Sequence, residues 1–126
     1  MKETDLYLPV KAWLEGQGFE VKAEVGAVDV MACRAGEDPV IVELKVGFSL
    51  TLLQQAVARQ RVSDSVYVCV PRWKGKSGWR TFKGNVGLCK RLGVGVLSVR
   101  HAREGRDRLF AGSAALCGLF DGAWAE

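Results

Sequence analysis

The sequence predicts an α/β domain built on a mixed β-sheet with helices packed against it. Two short β-rich runs near the N-terminus are joined through Gly26-Ala27, a link of hairpin length. Two later strands are reached through helical segments, which is the order that parallel crossover connections produce. At 126 residues, the chain is long enough for one domain with a core of its own.

The first half of the chain predicts one helix and three strands. Apolar residues recur at helical spacing across residues 3–16, and glycine closes this segment. Residues 19–25 and 28–34 form the predicted hairpin. Residues 40–46, VIVELKV, are β-branched and apolar apart from one glutamate and one lysine, so they predict a central strand.

The second half alternates helices and strands. An amphipathic pattern predicts a helix over residues 50–61, and apolar runs at residues 65–70 and 94–100 predict buried strands. Between these strands we expect a basic, aromatic loop at residues 72–83, followed by a short helix at residues 85–92. The predicted order is therefore αβββαβαβ.

The chain divides into a domain and a tail in this interpretation. We expect residues 1–103 to form the domain and residues 104–126 to form a poorly defined C-terminal tail. Within the tail, Leu109-Phe110 is a candidate hairpin strand, and an apolar stretch without clear periodicity follows it.

Composition excludes several kinds of protein. No stretch approaches the ~20 consecutive apolar residues of a membrane-spanning helix, and the acidic N-terminus does not resemble a signal peptide. The four cysteines and one histidine lack the close spacing of zinc ligands. We therefore expect a cytoplasmic protein without membrane association, whose cysteines are reduced and lie in the core. The net charge of +4 permits an anionic partner.

Ionisable residues interrupt two of the predicted strands. Glu43 and Lys45 lie two residues apart in VIVELKV, so strand alternation predicts that they point to the same face. Asp29 interrupts the preceding strand, VDVMAC, and converges with Glu43 if the two strands pair. Charged groups in apolar strands are costly unless they pair or bind something. Two neighbouring carboxylates with a lysine beside them favour a Mg²⁺ site, with Mn²⁺ as an alternative ion.

The order of these residues resembles the PD-(D/E)XK phosphodiesterase superfamily. The resemblance runs from Glu3 through Pro71 and is carried by an acid in the first helix, Asp29, the E-x-K of Glu43 and Lys45, and a polar residue on the next helix. Within the superfamily, the chain is most similar to the bacterial DUF2161 group. The resemblance implies a restriction-endonuclease-like core and metal-dependent hydrolysis of nucleic-acid phosphodiesters, with DNA as the expected substrate and RNA left open. One departure is Val28, where the superfamily's name places proline.

The resemblance also implies roles for individual residues. Asp29 and Glu43 would bind the metal together with the backbone carbonyl of Leu44, and Lys45 would be the catalytic lysine. Glu3 would touch the metal through water or bind a second ion.

Two residues of the second helix complete the implied site. Gln55 would help to hold the active site, and Arg59, one turn further on, would meet a phosphate. For Glu3 and Gln55 there are also ordinary structural interpretations, namely a favourable acid in a first helical turn and a solvated helix face.

The basic segment is a candidate nucleic-acid contact because cations interleaved with aromatic rings suit phosphate binding and base stacking. Its candidate contact residues are Arg72, Lys74, Lys76, Trp79, Arg80 and Lys83.

Three hypotheses stay open at this point. The first is an active phosphodiesterase, and the second is a catalytically inactive nucleic-acid-binding module with the same fold. The third is an unrelated α/β domain in which Glu43 and Lys45 form a structural ion pair. The sequence leaves both a monomer and a homodimer open.

Overall fold

Six strands and three helices make up the part of the chain that the structure, a computed structural model, describes, which is residues 2–26, 28–100 and 108–112. Their bounds are α1 Glu3–Glu15, β1 Glu20–Val25, β2 Val28–Cys33, β3 Val40–Leu44, α2 Leu50–Arg59, β4 Ser65–Pro71, α3 Gly75–Leu92, β5 Gly95–Arg100 and β6 Arg108–Gly112. None of the helices in these ranges is long and apolar enough to cross a membrane.

The strands form one sheet in the sequential order β1-β2-β3-β4-β5-β6. The pairs β1–β2, β2–β3 and β5–β6 are antiparallel, whereas β3–β4 and β4–β5 are parallel and are connected through α2 and α3. This arrangement confirms the predicted α/β class, the mixed sheet and the N-terminal hairpin. It contains one strand more than the predicted order, because β6 lies within residues 104–126 and pairs with β5.

The sheet separates two apolar cores. Helix α1 buries Leu6, Val10 and Leu14 against one face of the sheet. Helices α2 and α3 pack on the opposite face, where Leu52 and Phe82 contribute to the second core. Strand β3 is buried along its whole length between these layers, so any charged side chain on it needs a partner.

Helix α3 corrects the prediction of a basic, aromatic loop at residues 72–83. The helix begins at Gly75 and continues without interruption to Leu92, so the predicted helix over residues 85–92 is only its second half. The glycines in this segment argued against a helix at the sequence level, because glycine has a low intrinsic helix propensity. Tertiary packing overrides that propensity, since Phe82, Val86 and Cys89 form a buried face at helical spacing.

The cysteines only partly follow the prediction that they lie in the core. Cys69 and Cys89 are buried free thiols, whereas Cys33 is exposed at the last position of β2. Burial raises the pKa of the Cys89 thiol to about 12 and raises the pKa of the Cys69 thiol as well. Cys117 and His101 lie outside the described residues.

Candidate functional site

The candidate site lies where the β2–β3 ladder ends. The last pair of the ladder is Val30 with Val42, and the same register continued by one step would place Asp29 opposite Glu43. There, side chains bond to backbone groups of the facing strand. The backbone N–H of Leu44 donates to Asp29 Oδ2 over 2.9 Å, and the backbone N–H of Asp29 donates to Glu43 Oε2 over 3.3 Å. The structure therefore brings the two acids together at this end of the ladder.

Glu43 is the most enclosed member of the site. Its side chain is 2% exposed, and its second oxygen, Oε1, accepts a hydrogen bond of 2.6 Å from Arg59 Nε in the last turn of α2. Burial raises the pKa of Glu43 above its ordinary value. The hydrogen bonds from Arg59 and from the Asp29 backbone oppose that rise, and the nearby Asp29 charge adds to it.

Asp29 is half-buried and lines a groove of about 300 Å³ between α1 and the hairpin end of the sheet. The other residues that line the groove are Glu3, Thr4, Tyr7, Ala23, Glu24 and Leu44. The groove therefore contains three acids, of which Glu3 and Asp29 are predicted site residues.

Glu24 is a site residue that the sequence interpretation missed. The β1–β2 pairs on either side, Ala23 with Val30 and Val25 with Val28, put Glu24 level with Asp29. By the same register argument, Glu24, Asp29 and Glu43 fall in one row across three strands. Glu24 also has a positive φ of 53°, which is uncommon for a residue with a side chain. The only sequence signal was an acid near the end of a hairpin strand, and this is too common on solvated strands to single out a residue.

Lys45 lies just beyond the end of β3. Its backbone N–H donates to the carbonyl of Cys69, and its Nζ is 3.9 Å from Glu3 Oε2. The charged partner of Lys45 is thus on α1, whereas that of Glu43 is on α2, and these helices pack on opposite faces of the sheet.

Glu43 and Lys45 were predicted to point to the same face of the sheet. This prediction is wrong, because their charged partners lie on helices that pack on opposite faces. The physical reason is that β3 ends at Leu44, so strand alternation no longer directs the Lys45 side chain. The structural ion pair that we considered between Glu43 and Lys45 is also replaced, because Glu43 pairs with Arg59 instead.

Gln55 and Arg59 share helix α2, one turn apart. Gln55 is half-buried, and within the described residues no hydrogen bond joins it to Asp29, Glu43 or Lys45. Arg59, predicted to meet a phosphate, has its guanidinium on the Glu43 carboxylate in this structure.

The predicted nucleic-acid contacts divide into an exposed set and a packed set. Lys76, Arg80 and Lys83 are exposed and lie three or four residues apart on α3, so they form one stripe along the helix, which we call the basic stripe. Arg72 and Lys74 precede the helix, and the Arg72 guanidinium lies 4.4 Å from the centre of a Trp73 ring.

The aromatic residues of this segment form a packed cluster. The ring centres of Trp73 and Trp79 are 4.5 Å apart, and those of Trp73 and Phe82 are 4.7 Å apart. Phe82 is buried, and both tryptophans pack against the core of the α2–α3 face. Trp79 therefore contributes to helix packing, and it is less open to base stacking than a residue of an extended loop would be.

The donor set at Asp29 and Glu43 suits a hard cation. Magnesium binds one or two protein carboxylates and completes its shell with water and phosphate oxygens, and Asp29 supplies a carboxylate on the groove. Glu43 carries the second carboxylate, whose Oε1 accepts the hydrogen bond from Arg59. Among the described side chains, no group of three His, Cys, Asp or Glu residues is arranged to enclose a metal ion.

Comparisons with known proteins give no assignment, since no family model, no curated protein and no solved structure matches the chain.

Proposed function

We propose that this protein is a metal-dependent phosphodiesterase that hydrolyses nucleic acid, with DNA as the expected substrate. The observation that supports the proposal best is the convergence of Asp29 and Glu43 at the end of the β2–β3 ladder, where the Asp29 N–H donates to the Glu43 carboxylate and the Leu44 N–H donates to the Asp29 carboxylate. Such pre-positioned carboxylates, one of them on an open groove, suit an ion that also contacts a substrate phosphate. The proposal includes a restriction-endonuclease-like core and a cytoplasmic location.

The residues of the site would divide the work between them. Asp29 and Glu43 would hold Mg²⁺, together with the Leu44 carbonyl that the resemblance implies. The bound ion would supply a water of lowered pKa and offset charge on the phosphate. Lys45, held near Glu3 at 3.9 Å, would orient that water or stabilise negative charge on the reacting phosphate.

The basic stripe would bind the phosphate backbone of the substrate. Its exposed cations, with Lys74 just before the helix, can each replace a counterion on nucleic acid, which makes binding sensitive to salt. Because the neighbouring aromatic rings pack together, we assign this segment to phosphate contact first and to base stacking second.

A cleavage assay tests the proposed function. Purified protein would be incubated with supercoiled, linear and single-stranded DNA, with RNA, and with either Mg²⁺ or Mn²⁺. We expect metal-dependent cleavage that falls by about 10²–10³-fold in Lys45→Ala and is abolished in Asp29→Asn. Lys22→Ala, which removes an exposed lysine from β1, is the matched control and should cleave as the unaltered protein does. Absence of metal-dependent cleavage on all of these substrates would contradict the proposal.

A second candidate function is a nucleic-acid-binding module without catalysis. The ion pair between Arg59 and the enclosed Glu43 favours it, because this pair balances the carboxylate charge without a metal. Salt-sensitive DNA binding that is unchanged in Asp29→Asn, without cleavage by either protein, would select this alternative.

A further inference from the structure

We propose that Arg59 competes with the metal ion for Glu43, so that its guanidinium must leave the carboxylate before a divalent cation can be bound by both acids. This inference rests on the proposed function, since it concerns the same site. It gives Arg59 a role in controlling metal access to Glu43, in place of the phosphate contact that the sequence predicted.

The hydrogen bonds of Glu43 leave no carboxylate oxygen without a partner. Arg59 Nε occupies Oε1 at 2.6 Å, and the Asp29 backbone N–H occupies Oε2 at 3.3 Å. With 2% of the side chain exposed, Glu43 has little room for a further ligand. Each oxygen keeps a second lone pair, but the enclosed side chain offers a cation no open approach to it. We therefore infer that a cation that reaches Asp29 from the groove gains Glu43 as a ligand by replacing one of these donors.

Arg59 is the donor that can be replaced. The Asp29 N–H belongs to the backbone of β2 and is fixed by the sheet, whereas the guanidinium is carried on a long side chain that is 22% exposed. Its position also makes structural sense without a metal, because a base in the last turn of a helix is favourable and a buried carboxylate needs a counter-charge.

The positive charge of Arg59 also weakens the attraction of the site for a divalent cation. With Arg59 in place, the positive guanidinium offsets one of the two acids for an approaching cation. Without it, both carboxylates are uncompensated, and the attraction for a divalent ion in this enclosed setting rises. By linkage, the metal weakens the Arg59–Glu43 pair by the same factor as the pair weakens metal binding.

The test is Mn²⁺ affinity, measured by calorimetry on the full chain. We expect Arg59→Gln to bind Mn²⁺ about 10- to 100-fold more tightly than the unaltered protein, which corresponds to releasing one charge-assisted hydrogen bond. Arg61→Gln is the matched control, because it removes an equal charge two residues away at an exposed position. Its affinity should change by less than about twofold, as expected for a solvent-screened charge. Asp29→Asn should lose binding in either background.

A second variant keeps the proposal falsifiable if Arg59→Gln folds poorly. Arg59→Lys retains the positive charge but loses the planar guanidinium, so its Mn²⁺ affinity should lie between those of the other two proteins. Equal or weaker Mn²⁺ binding in the Arg59 variants, with normal binding by the unaltered protein, would overturn the competition and leave the proposed function standing. Absence of binding in the unaltered protein and in both Arg59 variants would overturn the proposed function and this inference with it.

Discussion

Replacing Arg59 by glutamine at pH 7 should lower the free energy of unfolding by about 2–3 kcal/mol. Removing one partner of a buried ion pair typically costs about 3–5 kcal/mol, because a charge is left without compensation. The cost here should lie below that range, since Arg59 is 22% exposed and Glu43 keeps the hydrogen bond from Asp29. For a domain of this size the loss corresponds to a decrease in Tm of about 10 °C.

The dependence of this loss on pH identifies its electrostatic origin. In the unaltered protein the pKa of Glu43 is already raised, so between the unfolded and folded pKa values the native state binds more protons than the unfolded chain. The contribution of Glu43 to stability therefore falls as pH rises through that window. Arg59 lowers this pKa, so Arg59→Gln raises it further and widens the window. Below about pH 4, where glutamate is protonated in both states, the difference between the two proteins should shrink towards zero.

Urea unfolding followed by tryptophan fluorescence at pH 7 and at low pH provides the measurement. Arg61→Gln, at an exposed position, is the control and should stay within about 0.5 kcal/mol of the unaltered protein at both pH values. The double variant Glu43→Gln with Arg59→Gln should recover much of the stability, because both charges of the pair are then removed and no buried charge is left uncompensated. A loss in Arg59→Gln that is equal at both pH values, or no recovery in the double variant, would refute the reasoning.

Three further predictions concern packing, capping and thiol reactivity. Gly95→Ala should destabilise the protein by about 1–3 kcal/mol in urea unfolding, because the added Cβ would overlap the buried ring of Tyr67 on the adjacent strand. Ser49→Ala should cost about 0.5–1 kcal/mol in the same assay, whereas Ser49→Asp should retain stability, since the Ser49 Oγ caps α2 at 3.3 Å. In thiol titration of the native protein at pH 8, Cys33→Ser should remove one rapidly reacting group, whereas Cys89→Ser should leave the rapid phase unchanged because that thiol is largely buried and has a pKa of about 12.

The sequence predicted the elements whose periodicity matches their packing. The hairpin of β1 and β2 and the buried strands β3, β4 and β5 carry β-branched runs bounded by turn residues, and these patterns directly reflect burial in a sheet. The first half of α3 escaped prediction because its residues do not favour a helix locally. Only the α2–α3 core, which brings together residues that are distant in the sequence, reveals why this segment is helical.

The candidate site was predictable in part for a related reason. An acid in an apolar strand is a conspicuous local signal, and so Asp29 and Glu43 could be singled out from the sequence alone. The partner of Glu43 could not be, because Arg59 is sixteen residues away and its sequence surroundings are those of an ordinary helix end. Strand alternation favoured Lys45 instead, and that argument failed once β3 ended at Leu44.

The termination of the β2–β3 ladder explains how this fold tolerates its acids. A regular ladder would use the backbone groups of Asp29 and Leu44 for strand pairing, and the acid side chains would have to find other donors. Here the ladder stops one step earlier, and the backbone N–H groups of both residues donate to carboxylates instead. Charge-assisted bonds of this type are stronger than neutral ones, which offsets part of the cost of burying Glu43. The same hydrogen bonds hold both carboxylates at the strand ends, so the local feature that makes the acids tolerable is also the one on which the proposed cation site depends.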